Sequence, residues 1–133
     1  MDIELLQRVR AAIRSAMVSS EDATELLFAV IDSFAPEFID GLLKHGANPN
    51  ARDRRGMTPL HHAAAVGSRP SIRALVNSGK CDYLIPDGEG RYPFEVAAES
   101  TDDFGIVRLL QKKQAQQAHR QGVPTCMPRV LPP

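Results

Sequence analysis

The sequence predicts an all-α fold: a solenoid of helix-turn-helix units, with an extra N-terminal helix and a C-terminal extension. Three observations predict it. Apolar residues recur at steps of three and four in one run after another, which is the spacing of a helix face. Landmarks return at a fixed interval: Leu42 to Leu75 and Gly46 to Gly79 are 33 residues apart, while Gly56 to Gly90 and Pro59 to Pro93 are 34. Finally, the chain has no tryptophan and 5% aromatics, so its core is aliphatic and alanine-rich, which favours closely packed helices.

The first element is expected over residues 1–20 as a capping helix. Ile3, Leu6, Val9, Ile13 and Ala16 or Met17 share one face, Asp2 offers a cap and Glu4 suits the first turn. Ser19-Ser20 breaks the pattern, and Glu21-Asp22 opens the next helix. Residues 21–120 then repeat one plan. The first unit has a run broken at Ala35-Pro36, a second run ending in Leu42-Leu43, then Gly46. In the second unit Thr58 is an N-cap and Pro59 takes the first helical position, where its missing N–H is no loss. That run reaches Val66, breaks at Gly67 to Pro70, and resumes to Leu75-Val76 and Gly79. The third unit, from Tyr92, ends its second run at Leu109-Leu110. Between units, Asp53 to Gly56 and Asp87 to Gly90 have turn composition. Beyond Lys113 a polar stretch continues the last helix, into solvent or along the body, until Gly122 ends it. The remainder of 121–133 holds four prolines among its last eleven residues and is expected as a tail. Two readings of that tail stand: a frayed end, or a cover for the open end of the stack through Val123, Met127, Val130 and Leu131.

Thr58-Pro59-Leu60-His61-His62-Ala63 resembles the T-P-L-H-x-A string of ankyrin repeats, and the interval of about 33 residues agrees. "GANPNARD" at 46–53 resembles the family's inter-repeat loop. The resemblance runs from about residue 22 to 113 and implies three repeats. The central one matches best; the third has Tyr92-Pro93-Phe94-Glu95 in place of the motif and Thr101 in place of the mid-repeat glycine, and the first lacks the motif. The resemblance implies a non-catalytic module that binds a partner protein through its hairpin tips and the concave face of its inner helices. It also implies that His61 bonds the motif threonine and the neighbouring loop. His62 falls at a variable position on the inner face, either a binding contact or plain surface.

The residues themselves argue against other classes. Sixteen basic side chains balance sixteen acidic ones, which argues against a general nucleic-acid binder; a local nucleic-acid or phosphate-binding patch at the arginines stays open as a lesser alternative. Cys81 and Cys126 have no metal-ligand spacing and no disulfide framework, so a reducing, cytoplasmic setting is expected, with no metal and no cofactor. No apolar run is long enough to cross a membrane, and the first 20 residues lack a signal peptide's apolar core. "DGEGRYP" has two glycines but not the Lys-Ser/Thr of a phosphate loop. The expected partner-binding residues are Arg54, Arg55, Met57, His62, Val66, Glu89 and Arg91. Met57 and Val66 would supply apolar area and the charges specificity. Arg54, Arg55 and Arg91 read either as solubilising charge or as a basic rim for an acidic partner segment. Leu60, Ala63, Ala64, Leu75, Leu109 and Leu110 are expected as scaffold. A dedicated inhibitor or immunity-type partner of one enzyme or toxin is the alternative within binding, and a monomer is expected.

Overall fold

Seven helices and one 3-10 turn make up the described part of the chain in a computed structural model, which describes residues 3–14 and 19–122. Helix α1 (Ile3–Arg14) buries Leu5, Val9 and Ala12. Helix α2 (Ser20–Asp32) begins one residue before the expected Glu21-Asp22, because the Ser19 side chain accepts from the Asp22 amide and caps it. The chain then passes through a 3-10 turn (Pro36–Phe38) into the short α3 (Ile39–Lys44). Helices α4 (Pro59–Val66) and α5 (Arg69–Asn77) form the second pair, and α6 (Pro93–Ser100) and α7 (Phe104–Gln121) the third. Asp2, Ala16, Met17 and the whole of 123–133, including Cys126 and both readings of the tail, lie outside the described residues.

The pairs stack in order. α2, α4 and α6 lie side by side as an inner row, α3 packs on α5 in the outer row, and α1 covers α2 and α3 at one end. Each pair has one apolar side that only a neighbour can cover, so a unit is stable in the row rather than alone. One continuous core results. Leu27, Val30 and Ile31 on α2, Leu60, Ala63 and Ala64 on α4, and Phe94 and Ala97 on α6 are buried at matching places. Leu42, Leu75 and Leu110 do the same for the outer row, while Leu109 packs on the core only partly buried. Alanines at 63, 64 and 97 let the inner helices approach closely.

Thr58 and Tyr92 occupy equivalent positions. Each is the N-cap of its inner helix with extended backbone, followed by proline. The Thr58 amide donates to His61 Nδ1 and the Tyr92 amide to Glu95 Oε1, both three residues on. The mid-unit turns are less uniform. Gly67 takes the left-handed conformation (φ 69°), Phe34 takes it at the matching place in the first unit (φ 57°), and Thr101 avoids it with extended backbone (φ −145°). Phe34 is therefore the one non-glycine residue with positive φ among the described residues, and its ring is exposed.

The last helix is twice as long as α5, and its added length lies along the body. Gln114, Gln117 and Ala118 are buried. Gln117 Oε1 accepts from the Tyr83 amide at 2.7 Å, and its Nε2 donates to Asp82 at 2.6 Å. Helix α7 thus closes the loop polar groups that a fourth unit would otherwise meet. Gly122 ends it as a left-handed cap (φ 69°).

Candidate functional site: the hairpin tips and the inner face

Two tips project between the units, one over residues 53–57 and one over 87–91. The same residue type builds both. Asp53 Oδ1 accepts from the Arg55 and Met57 amides, each at 2.9 Å, and Asp87 Oδ1 accepts from the Glu89 and Arg91 amides at the same distance. The hairpins close through Asp53 N–H to Met57 O and Asp87 N–H to Arg91 O. The tips also touch. The Gly88 amide donates to Arg55 O at 2.7 Å, and a Cβ on Gly88 would stand 2.6 Å from that oxygen. Only glycine permits this approach. Arg52 Nη2 adds a second tie to the carbonyl of Pro86, at 2.8 Å.

His61 and His62 have different surroundings. His61 is fully buried; its Nδ1 faces the Thr58 amide and hydroxyl, and its Nε2 lies 2.9 Å from the Arg91 carbonyl. The carbonyl can only accept, so Nε2 carries the proton and Nδ1 takes the Thr58 N–H. Burial holds this ring below its ordinary pKa, partly offset by the bond to the Arg91 carbonyl. The ring ties one unit's helix to the next unit's tip, as the motif resemblance implied. His62 lies on the inner face between two carboxylates. Its Nδ1 is 2.9 Å from Asp32 Oδ1, its Nε2 is 2.6 Å from Asp53 Oδ2, and the Phe28 ring meets it edge-on at 4.8 Å.

The expected contact residues separate into three groups. Arg54 and Arg55 are exposed at the tip, and neither guanidinium has a partner among the described residues. Glu89 is also exposed at its tip, 3.6 Å from Arg91. His62 and Arg91 are engaged internally: Arg91 reaches Asp87 at 3.0 Å and Glu99 at 2.6 Å. The apolar pair differs from expectation. Met57 is a core residue, 8% exposed, because its backbone closes the hairpin against Asp53 and turns the side chain inward. Val66, at the end of α4, packs partly buried against the core. Neither gives a partner much apolar area.

The rim is not uniformly basic either. The second tip combines Arg52, Arg54 and Arg55 with Asp53, whereas Arg91 in the third is surrounded by Asp87, Glu89 and Glu99. A shallow depression between the tips, lined by Arg54, Arg55, Asp87, Glu89 and Arg91 among others, is thus basic on one side and acidic on the other.

Several cross-unit contacts were not anticipated from sequence: Arg69 to Asp103, Gln117 to Tyr83, Arg52 to Pro86. All three span 34 residues, one repeat, which is the signal that would have found them. Cys81 is half-buried, its Sγ donating to the Leu75 carbonyl; burial pushes the thiol up to about 12, away from the thiolate form. Among the described residues no group of three or more His, Cys, Asp or Glu side chains is placed to hold a metal, and no helix is long and apolar enough to cross a membrane.

The anchoring carboxylates make stability depend on pH. Burial alone pushes the Asp53 and Asp87 carboxyls up. Hydrogen bonds outweigh it: from His62 and the Met57 and Arg55 amides at Asp53, and from the Arg91 and Glu89 amides and the Arg91 side chain at Asp87. Asp103 is lowered chiefly by its hydrogen bond from Arg69. A folded-state pKa below the unfolded one gives stability that is present above the unfolded value, about 4, and lost as pH falls through the folded one. The melting temperature is expected to drop most steeply below about pH 4; a melting temperature constant between pH 5 and pH 3 would contradict these three assignments.

The family described as "Ankyrin repeats (3 copies)" matches residues 26–121, and the chain belongs to it. It is 38% identical over 78 residues to protein phosphatase 1 regulatory subunit 12A of Mus musculus, a match covering 59% of this chain and 7% of that protein. It is 38% identical over 74 residues to the ADP-ribosylation factor GTPase-activating protein AGD2 of Arabidopsis thaliana, covering 56% and 9%. With Rabankyrin-5 of Mus musculus it shares 28% identity over 88 residues, 65% of this chain and 8% of that protein. The chain thus matches less than a tenth of each relative's length. Ankyrin repeats are in general protein–protein interaction modules, and the family is typically non-catalytic.

Proposed function

We propose that this chain is a non-catalytic recognition module that binds a partner protein along its hairpin tips and inner face, with Arg54 and Arg55 as the principal contacts. The observation that carries the reading is the contrast between the two tips. Both are fixed by the same aspartate turn, yet the guanidinium groups of Arg54 and Arg55 in the second unit's tip have no partner among the described residues, while Arg91 in the third unit's tip is bound to its own carboxylates. Unpaired cations on a rigid mount lose little freedom when they meet a ligand. The complementary segment of the partner is acidic opposite Arg54 and Arg55 and basic opposite Glu89, so the charges fix its direction along the stack. Names among the relatives, a phosphatase regulatory subunit and a GTPase-activating protein, suit such a role. The free thiol of Cys81 suits the reducing cytoplasm.

The test is affinity capture from native lysate with the wild-type chain and an Arg54→Glu/Arg55→Glu double variant. Arg91 is unsuitable as part of this control because it holds its own tip together. The double variant is expected to keep its melting temperature and lose the partner. Equal capture by both baits would overturn the assignment of the second tip. A single long-lived stoichiometric complex would identify the partner as the target of a dedicated inhibitor.

A further inference from the structure

The two tips share more than their aspartate turns. In each, the second carboxylate oxygen of the turn aspartate bonds a nitrogen-bearing side chain, which continues to another carboxylate on an inner helix. In the third unit the series is Asp87–Arg91–Glu99, with Arg91 Nε at 3.0 Å from Asp87 Oδ2 and Nη1 at 2.6 Å from Glu99 Oε2. In the second it is Asp53–His62–Asp32, at 2.6 and 2.9 Å. The middle member is an arginine in one series and a histidine in the other. Arginine always has donors for both acceptors. Imidazole donates to two carboxylates only when both nitrogens carry protons; with one proton it can serve only one of them.

We propose that His62 is a protonation-dependent tie that couples the Arg54-Arg55 tip to α2, while the arginine series leaves the other tip unchanged between pH 5 and 8. Doubly protonated, the ring holds Asp53 and Asp32 together. After it loses a proton, either contact survives alone, and in both cases the connection from α2 to the tip is cut. The aspartate that loses or keeps this bond also anchors the Arg55 and Met57 amides through its other oxygen, so the change reaches the tip backbone.

The charged groups around His62 leave Asp32 and Asp53 as its acceptors. From α2 come Asp32 and the Phe28 ring edge; from the tip, Asp53, with Arg54 and Arg55 beyond it. On α4 itself the neighbouring His61 is committed to Thr58 and Arg91. On α6, Glu99 binds Arg91 and Glu95 accepts from the Tyr92 amide; on α5, Arg69 binds Asp103. The ring is 19% exposed, so protons reach it from solvent. The bearing of this tie on recognition rests on the proposed function, but its test uses the free protein, so failure here leaves that reading standing.

The experiment is a nuclear magnetic resonance titration of the isotopically labelled full chain between pH 5 and 8. It follows the His62 ring together with the Arg55, Met57, Glu89 and Arg91 amides. The Arg55 and Met57 amides are expected to move with the same midpoint as the His62 ring, and the Glu89 and Arg91 amides to stay still. In His62→Arg, a permanent cation, Arg55 and Met57 are expected to lose that transition. In His62→Gln, a side chain that does not titrate, they are expected to lose it too. Wild-type Arg55 and Met57 amides that ignore the His62 midpoint would overturn the proposal. So would a transition that persists in both variants, since it would then originate at a group other than His62.

Discussion

Leu60→Ala is expected to lower the unfolding free energy by about 3 kcal/mol, within the range for removing a buried leucine. Leu60 is 1% exposed on the inner helix of the central unit, with α2 on one side and α6 on the other. Its loss leaves a void that neither neighbour can fill without breaking its own packing. In a row of three units the middle one holds both interfaces, so the damage spreads to the whole stack. Urea unfolding followed by circular dichroism measures it. A loss under about 1 kcal/mol would show that Leu60 does not bridge the units. Leu109→Ala, at a partly buried position on the outer row, is expected to lose less.

His61→Ala is expected to be at least as damaging, at about 3–5 kcal/mol. The substitution removes a fully buried side chain. It also leaves the Thr58 amide without its side-chain acceptor and removes one of the two donors to the Arg91 carbonyl, which keeps the Asp87 amide. A buried backbone amide left unpaired costs about 1–3 kcal/mol, and the cavity adds to this. The same unfolding experiment checks it, and a loss below about 1 kcal/mol would contradict the tie between helix α4 and the 87–91 tip. The effect is structural: His61 faces no open cleft, and its two nitrogens are occupied by the fold.

The stack was legible because its physics is periodic. A turn needing glycine, an N-cap followed by proline, and paired alanines at the helix contact recur at 33 or 34 residues, and each marks a position with one structural solution. The helix starts at Pro59 and Pro93 and the stop at Gly122 followed directly. The first unit was less legible. Its mid-unit turn places Phe34 where the second has Gly67, so composition alone did not mark the left-handed residue.

The recognition surface was legible only in part. Arg54 and Arg55 stand at a tip that aspartate and glycine define locally. Arg91 looked like their counterpart by position, but its charge is answered by Asp87 in its own turn and by Glu99, eight residues on. His62 looked like a free inner-face contact, yet its acceptors come from α2 and the tip, 30 and 9 residues away. Met57 adjoins the tip in sequence, and the hairpin's closing bonds turn it into the core.

Hydrogen exchange on the complex with the captured partner tests most directly whether recognition sits on the tips rather than elsewhere on the stack. Amides of residues 52–57 and 87–91 are expected to gain protection on binding, with those of α5 and α7 unchanged. Protection confined to the outer helices or to α1, with the tips exchanging as in the free chain, would contradict it.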